Sequence, residues 1–512
     1  MALFLPGLRR AAPRLASDFF ICHHCQKFAR PAARQIKFPG KPNPSRTIRF
    51  NSNAAALPGI LSKKISPLTS LSQTISNAEK EKAKGAKKAF FPETSSNAVA
   101  YWLLASAGSV FGIVVFGGLT RLTESGLSIT EWKPVTGSLP PLSQDDWNSE
   151  FQKYRASPEF KLLNPHMSLE EFKKIYYMEW GHRLWGRFVG LSFVLPALYF
   201  VSRRKVSANM SLRLLGISGL IGFQGFLGWY MVKSGLKDDL FAPGSHPRVS
   251  QYRLTAHLGA AFICYTAMLW NGLSILRSNT LLSHPVRGLA QLTHLASPSL
   301  SAFRKSVAGL TLLVFITAMS GGLVAGLDAG LIYNEFPRMG TGLHPPKSEL
   351  FSPFYSRHPD QSDLVWRNML ENPSTVQLNH RVLATTTFTA ILSLWAYSRF
   401  NKKLKGALPN SARKGMLGVV HLVLLQVTLG ISTLIYMVPV PLAAAHQAGA
   451  LALLSGCLVL GSRIWVPRRM MSLLRQRVKM ASAVSGPGRM GLGKEAMKSD
   501  LSALRRNGPP TL

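Results

Sequence analysis

EWGHRLWGR (179–187) and QLNHRVLAT (377–385) open two apolar stretches 198 positions apart, and in each a histidine, His182 or His380, is followed by an arginine, Arg183 or Arg381. A second pair stands downstream: His257 in TAHLGAAF (255–262) and, 189 positions later, His446 in AAHQAGAL (444–451). The chain thus repeats itself, and each copy places two histidines at the start of apolar, helix-length segments. The repeat reaches beyond them. GGLTRLTESGLSITEW (117–132) aligns with GGLVAGLDAGLIYNEF (321–336), and FQGFLG (223–228) aligns with LQVTLG (425–430), matching Gln224 and Gly228 to Gln426 and Gly430.

A hydrocarbon core of roughly 30 Å needs about 20 helical residues to cross it. Eight stretches qualify, near 98–120, 181–201, 212–232, 252–276, 306–327, 378–398, 415–437 and 442–464. None shows the period-two alternation of a membrane barrel strand. Four spans per copy is an even number, so both copies start from the same side and their pseudo-two-fold axis stands along the membrane normal. The expected fold is an all-α polytopic membrane protein with eight transmembrane helices in two tandem, pseudo-two-fold-related four-helix bundles. The bundles cover 98–276 and 306–464, joined by a linker over 277–305 and followed by a basic tail over 465–512.

Composition averages mute this pattern, since 46% hydrophobic residues and a mean hydropathy of +0.11 include long basic segments. The net charge of +37 is unevenly placed. Arg203, Arg204, Lys205 and Arg213 follow the second span, Arg277, Arg287, Arg304 and Lys305 the fourth, and Lys402, Lys403, Lys405, Arg413 and Lys414 the sixth. Acidic residues such as Glu131, Asp145, Asp146, Glu335 and Asp360 lie in the loops after the first and fifth spans. The positive-inside rule puts both termini on the basic side. A nucleic-acid-binding surface is excluded, because the cations sit at helix ends and not on one continuous face.

Residues 1–50 hold seven arginines and one acid, Asp18, in the style of a mitochondrial transit peptide, and a polar Lys-rich arm follows over 51–97. The expected location is the mitochondrial inner membrane, with both termini in the matrix. Cys22-His-His-Cys25 falls in the leader, and Gln26 stands where a c-type haem motif wants histidine. Cys264 and Cys457 read as small packed residues, and no disulfide is implied. Gly108 and Gly112 form a small-xxx-small pattern that permits close helix contact and so a homo-oligomer.

Topology sets His182, His257, His380 and His446 near the acidic-side ends of the even-numbered spans, at one membrane depth. Two facing imidazoles inside a four-helix bundle can hold a haem iron from both sides. A single membrane histidine often just bonds a neighbouring helix, but four at repeat-equivalent depths favour ligation. Zinc or copper fits less well, since the copies lack a third convergent ligand. Three residues before the first histidine, Glu179 in one copy meets Gln377 in the other. That spacing shares a helix face with the ligand, and only Glu179 can move a proton as substrate carbon is oxidised. Arg183 and Arg381 are placed either to pair with haem propionates or to snorkel to the interface.

The motifs GGLTRLTESGLSITEW, EWGHRLWGR, AHLGAA, NHRVLA and AHQAGAL resemble the haem A synthase family, across essentially all eight spans. The resemblance implies an oxidoreductase that converts the methyl group of haem O to the formyl group of haem A for cytochrome oxidase. It implies Glu179 as the essential acid, His182 and His257 as ligands of the substrate haem, and His380 and His446 as ligands of a bound haem B. It further implies electrons from a matrix ferredoxin and its reductase, and leaves room for contacts with haem O synthase and other assembly factors. Bacterial members often carry a cysteine pair after the first span, whereas residues 121–177 hold none. The alternatives are a dihaem cytochrome b-like electron-transfer protein, which would usually place haems near both surfaces, and a haem carrier, which needs no Glu179.

Overall fold

The computed structural model describes residues 90–133, 135–236 and 248–484. The leader over 1–50, Cys22 and Cys25, most of the arm and the tail beyond 484 lie outside the described residues. Among the described residues the chain is helical, and the only β-type pairing is an isolated bridge between Met339 and Gly342. Eight long helices dominate: α1 Asn97–Leu122, α2 Leu169–Ser202, α3 Ala208–Gly235, α4 Gln251–Ser283, α5 Ser301–Gly326, α6 Pro373–Phe400, α7 Asn410–Ile435 and α8 Val440–Ile464. Seven segments, all but α6, are long and apolar enough to cross a membrane, so the protein is an all-α, multi-pass membrane chain. α6 has the length, but Gln377, Asn379, Arg381 and four threonines between 385 and 389 dilute its hydropathy.

The helix starts follow local chemistry. Hydropathy placed the second span's beginning at 181, yet α2 starts twelve residues earlier, because Ser168 and Glu171 form a capping box. The Ser168 hydroxyl accepts from Glu171 N at 3.3 Å, and the Glu171 carboxylate accepts from Ser168 N at 2.9 Å. Two otherwise orphaned amide groups are satisfied, so the helix nucleates in the polar loop. His182 therefore stands thirteen residues inside α2, not within two turns of its start; His257, His380 and His446 stand six or seven residues inside α4, α6 and α8. The expected linker over 277–305 is largely helical as well, with α4 running on to Ser283 and a helix over Pro285–Leu295.

In the first half α1 and α3 each pack on α2 and α4; in the second, α5 and α7 each pack on α6 and α8. The halves meet where α4 touches α5, α8 touches α1, and α4 touches α8. Val99, Leu103, Ala107, Val110 and Val114 form one buried stripe on α1, part of a core that includes Phe262, Tyr265 and Met268 of α4. Lipid is as apolar as these side chains, so close packing, and not water exclusion, holds such faces together. Buried positions thin out at histidine depth. α2 has none between Glu179 and Val189, α6 none between Gln377 and Thr387, and α7 none beyond Val423. Close-packed residues fill the basic-side halves, while part-buried ones line the histidine-bearing halves.

On the acidic side, helices Gln144–Arg155 and Pro158–Leu163 cover the first half through an aromatic cluster of Trp147, Tyr154, Phe160, Phe172 and Tyr176. The second half carries a polar cap instead, in which Asn372 bonds Asn368 and the Glu349 carbonyl, and the Ser374 and Tyr333 hydroxyls donate to the Glu349 carboxylate.

Candidate functional site

Each histidine lies against a glycine of the preceding helix. A Cβ added at Gly117 would sit 2.9 Å from His182 Nε2, at Gly228 3.5 Å from His257 Cε1, at Gly321 3.1 Å from His380 Cε1, and at Gly430 2.8 Å from His446 Cε1. Four odd-numbered helices thus present bare backbone to four imidazoles on the even-numbered ones. Gln224 Nε2 donates to the His257 carbonyl at 3.1 Å, and Gln426 Nε2 to the His446 carbonyl at 3.0 Å. Repeat-equivalent glutamines therefore brace both of these helix turns.

The rings of each half are electrostatic neighbours, His182 of His257 and His380 of His446. Nδ1 of His257 and of His446 is buried without a hydrogen-bond partner, and His380 Nδ1 meets Ser320 Oγ at 2.7 Å, which fixes that ring. Phe116 occupies the position of Ser320 in the first half and stacks on His182, with centroids 6.5 Å apart and planes 9° apart. Among the described residues no group of three or more His, Cys, Asp or Glu could hold a metal ion. Two imidazoles per half, each cleared by a glycine of the preceding helix, are the residues that could hold a group taking two nitrogen ligands.

The adjacent glycines join the halves. Gly118 is filled by Gln447, which follows His446 and donates from Nε2 to the Val114 carbonyl at 2.8 Å. Gly322 is filled by Thr255 and by Leu258, which follows His257. The double glycine of each GGL motif therefore faces a histidine with its first residue and the other half with its second, a role that the sequence pattern alone did not reveal.

Glu179 and Arg183 form a closed unit. Glu179 is 3% exposed. Its Oε2 accepts from Ser128 Oγ at 2.7 Å and Ile129 N at 2.8 Å, and its Oε1 accepts from Arg183 Nη2 at 2.6 Å and Nε at 3.0 Å. Arg183 also donates to the carbonyls of Ile129 and Glu131. Arg381 makes the equivalent grip on the carbonyls of Tyr333 and Glu335. Both arginines thus hold loop backbone. The difference lies at the neighbouring position, where Gln377 donates from Nε2 to the Tyr333 carbonyl at 3.1 Å and leaves its own Oε1 buried and unpaired. One scaffold carries a carboxylate that accepts four protein hydrogen bonds in the first half and a neutral amide in the second.

Above this site the turns after α1 and α5 hold Glu124 and Asp328 at φ of 52° and 51°. Arg121 pairs with Asp328 at 3.0 Å, and Arg248 pairs with Glu124 at 2.8 Å and with Asp328. These pairs tie the two halves together on the acidic side. Cys264 and Cys457 are free and buried.

Comparison with known proteins gives the family of the chain. A family model described as a cytochrome oxidase assembly protein, COX15-CtaA, matches residues 100–458. A Saccharomyces cerevisiae protein named heme A synthase COX15 is 53% identical over 377 residues, 73% of this chain and 77% of that protein. The Homo sapiens heme A synthase COX15 is 47% identical over 368 residues, 72% of this chain and 82% of its own. A Schizosaccharomyces pombe heme A synthase-mitochondrial ferredoxin fusion protein is 50% identical over 392 residues, covering 76% of this chain and 63% of the fusion. With a match spanning every paired histidine and the Glu179 site, the chain belongs to the COX15-CtaA family of cytochrome oxidase assembly proteins.

Proposed function

We propose that the protein is a haem A synthase of the mitochondrial inner membrane. The observation that carries this reading is the contrast between Glu179 and Gln377 on otherwise equivalent scaffolds. A bundle that only holds haem needs no carboxylate there, and the second half does without one.

In this reading His182 and His257 hold the iron of haem O, with the reacting methyl group close to Glu179. Two successive two-electron hydroxylations of that methyl, each requiring an oxidant and an oxygen atom from outside the chain, give a geminal diol, which loses water to leave the formyl group of haem A. Among the described residues Glu179 is the one ionisable group placed to take or deliver a proton as the methyl carbon is oxidised, and the Ser128 hydroxyl, donating to its Oε2 at 2.7 Å, orients it. Arg183 keeps Oε1 fixed meanwhile and clamps the loop that shuts water from the site. His380 and His446 would hold a haem B, which when bound supplies one-electron chemistry at its iron. Ser320 fixes His380 for that task, and Gly321 and Gly430 leave space for the two rings.

Two further elements belong to the same proposal. α6 spans the membrane as the sixth of eight helices, supported by its length and its place in a packing order in which every neighbour pair of the first half recurs four helices later. That recurrence, with the matching glycine–histidine and arginine–carbonyl contacts, supports two pseudo-two-fold-related bundles. Basic residues at the far helix ends support matrix-facing termini, and the fused relative supports a ferredoxin as electron donor. Pigment analysis of the purified full chain tests the function. Haem B together with haem O and haem A is the expected result; two equivalents of haem B would mean a cytochrome, and no retained haem a carrier.

A further inference from the structure

The two halves touch through their histidine turns, and the two crossings are built differently. At one, Gln447 of α8, the residue after His446, donates from Nε2 to the Val114 carbonyl of α1 at 2.8 Å. Its amide occupies the place where a Cβ of Gly118 would stand, one turn along α1 from Val114. The preceding residue, Gly117, backs His182, whose Nε2 lies 2.9 Å from where that glycine's Cβ would be. An unbroken path of covalent bonds, one hydrogen bond and one close contact therefore runs from His446 to His182. At the other crossing the repeat-equivalent residue is Leu258, which follows His257 and meets Gly322 through an apolar methyl at 3.3 Å. Thr255 stands there as well, its hydroxyl buried and without a hydrogen-bond partner, where the second half has Ala444. That crossing carries contact without a directional bond.

Apolar contact between membrane helices holds them together but sets register weakly, whereas a hydrogen bond fixes donor against acceptor. The Val114 carbonyl has a lone pair beyond the one its own helix uses, and the bare backbone of Gly118 lets the Gln447 amide reach it. Gln426 holds the same turn of α8 from α7, donating to the His446 carbonyl at 3.0 Å. The His446 turn is thus gripped from α7 on one side and tied to α1 on the other. An axial bond to iron at His446 fixes this turn further, and the tie hands that position to α1.

We propose that Gln447 is a positioning residue for the first-half site: it passes the place of the His446 turn to α1, and so sets the backbone against which His182 stands. Loading of the second half then prepares the first half for its substrate. Coupling of this kind is reciprocal, so haem O at His182 also tightens the His446 site. Its size is bounded by the bond that carries it, about 3- to 30-fold in affinity for a hydrogen bond between membrane helices. The proposal rests on the haem A synthase reading.

The test is optical titration of the purified full chain with haem O, with haem B content and melting temperature measured on the same samples. Gln447→Leu installs the residue of the other crossing and removes the donor. It should weaken haem O binding about 3- to 30-fold, while haem B content and its low-spin band stay as in wild type. His380→Ala, on α6, empties the second half without altering α8 and should weaken haem O binding by a similar factor. Combined with Gln447→Leu it should add nothing, since both changes cut one link. Gly118→Ala breaks the same contact from α1 with a residue that helices favour; it should give the same weakening, and it decides the matter if Gln447→Leu does not accumulate. Wild-type haem O affinity in Gln447→Leu and Gly118→Ala, loss of haem B from both, or effects of Gln447→Leu and His380→Ala that multiply would overturn the proposal, because a merely structural contact lowers the melting temperature without linking the two sites. Wild type that retains haem B but binds no haem O would overturn the functional reading and this proposal with it.

Discussion

Replacing Gly430 with alanine puts a methyl group 2.8 Å from His446 Cε1, where ordinary contact begins at 3.4 Å. The ring must retreat by at least about 0.6 Å or the two helices must part. Overpacking of this size costs about 1–3 kcal/mol. If the cost falls on the imidazole's position, haem B affinity drops roughly 5- to 150-fold at 1.4 kcal/mol per decade. The fold should not suffer in proportion, because alanine in a helix interior is favoured over glycine by about 1 kcal/mol. Loss of haem from a well-folded protein is therefore the signature. The four glycines make a graded series. Gly117→Ala and Gly430→Ala, at 2.9 and 2.8 Å, should act most strongly, Gly321→Ala at 3.1 Å less, and Gly228→Ala at 3.5 Å hardly at all. Haem per polypeptide, the low-spin absorption band and the melting temperature of each purified variant form the assay. A Gly430→Ala protein with full haem B and an unaltered band would refute the assignment of His446 as a ligand.

Replacing His380 or His446 with alanine should strip the retained haem B and lower activity with it, since one axial bond remains; purification with full low-spin haem B would show that the second half is misassigned. Deleting residues 1–50 should abolish mitochondrial import without disturbing the helices, read by fractionation of cells expressing the truncated chain. Normal import of that protein would remove the leader reading.

Much of this architecture was legible as periodic apolar runs punctuated by repeated motifs, and the histidine pairs and the Glu179–Gln377 contrast stood out on the same basis. The start of α2 was missed because hydropathy is blind to capping, although the Ser168–Glu171 spacing that sets it is a local signal. α6 illustrates the opposite limit: its threonines lower hydropathy without breaking the helix. The glycine partners of the histidines, the wedge of Gln447 on Gly118 and the grip of Arg183 and Arg381 on loop carbonyls depend on residues from 16 to more than 300 positions apart, and no local pattern encodes them.

The central claim is that the Glu179 carboxylate turns a haem-binding bundle into an oxidising one, and Glu179→Gln tests it directly by giving the first half the residue of the second. The amide has one accepting oxygen where the carboxylate has two, so it can keep the bonds from Arg183 or those from Ser128 and Ile129 but not both, and about 1–3 kcal/mol of local stability should be lost. Arg183 keeps its grip on the Ile129 and Glu131 carbonyls, so the loop should stay closed and haem binding persist. The measurement is a chromatogram of haems extracted from the purified variant, with haem B as internal standard. Turnover should fall about 10²- to 10⁴-fold, with haem O or a hydroxylated intermediate accumulating in place of haem A; haem A at wild-type levels would contradict the account.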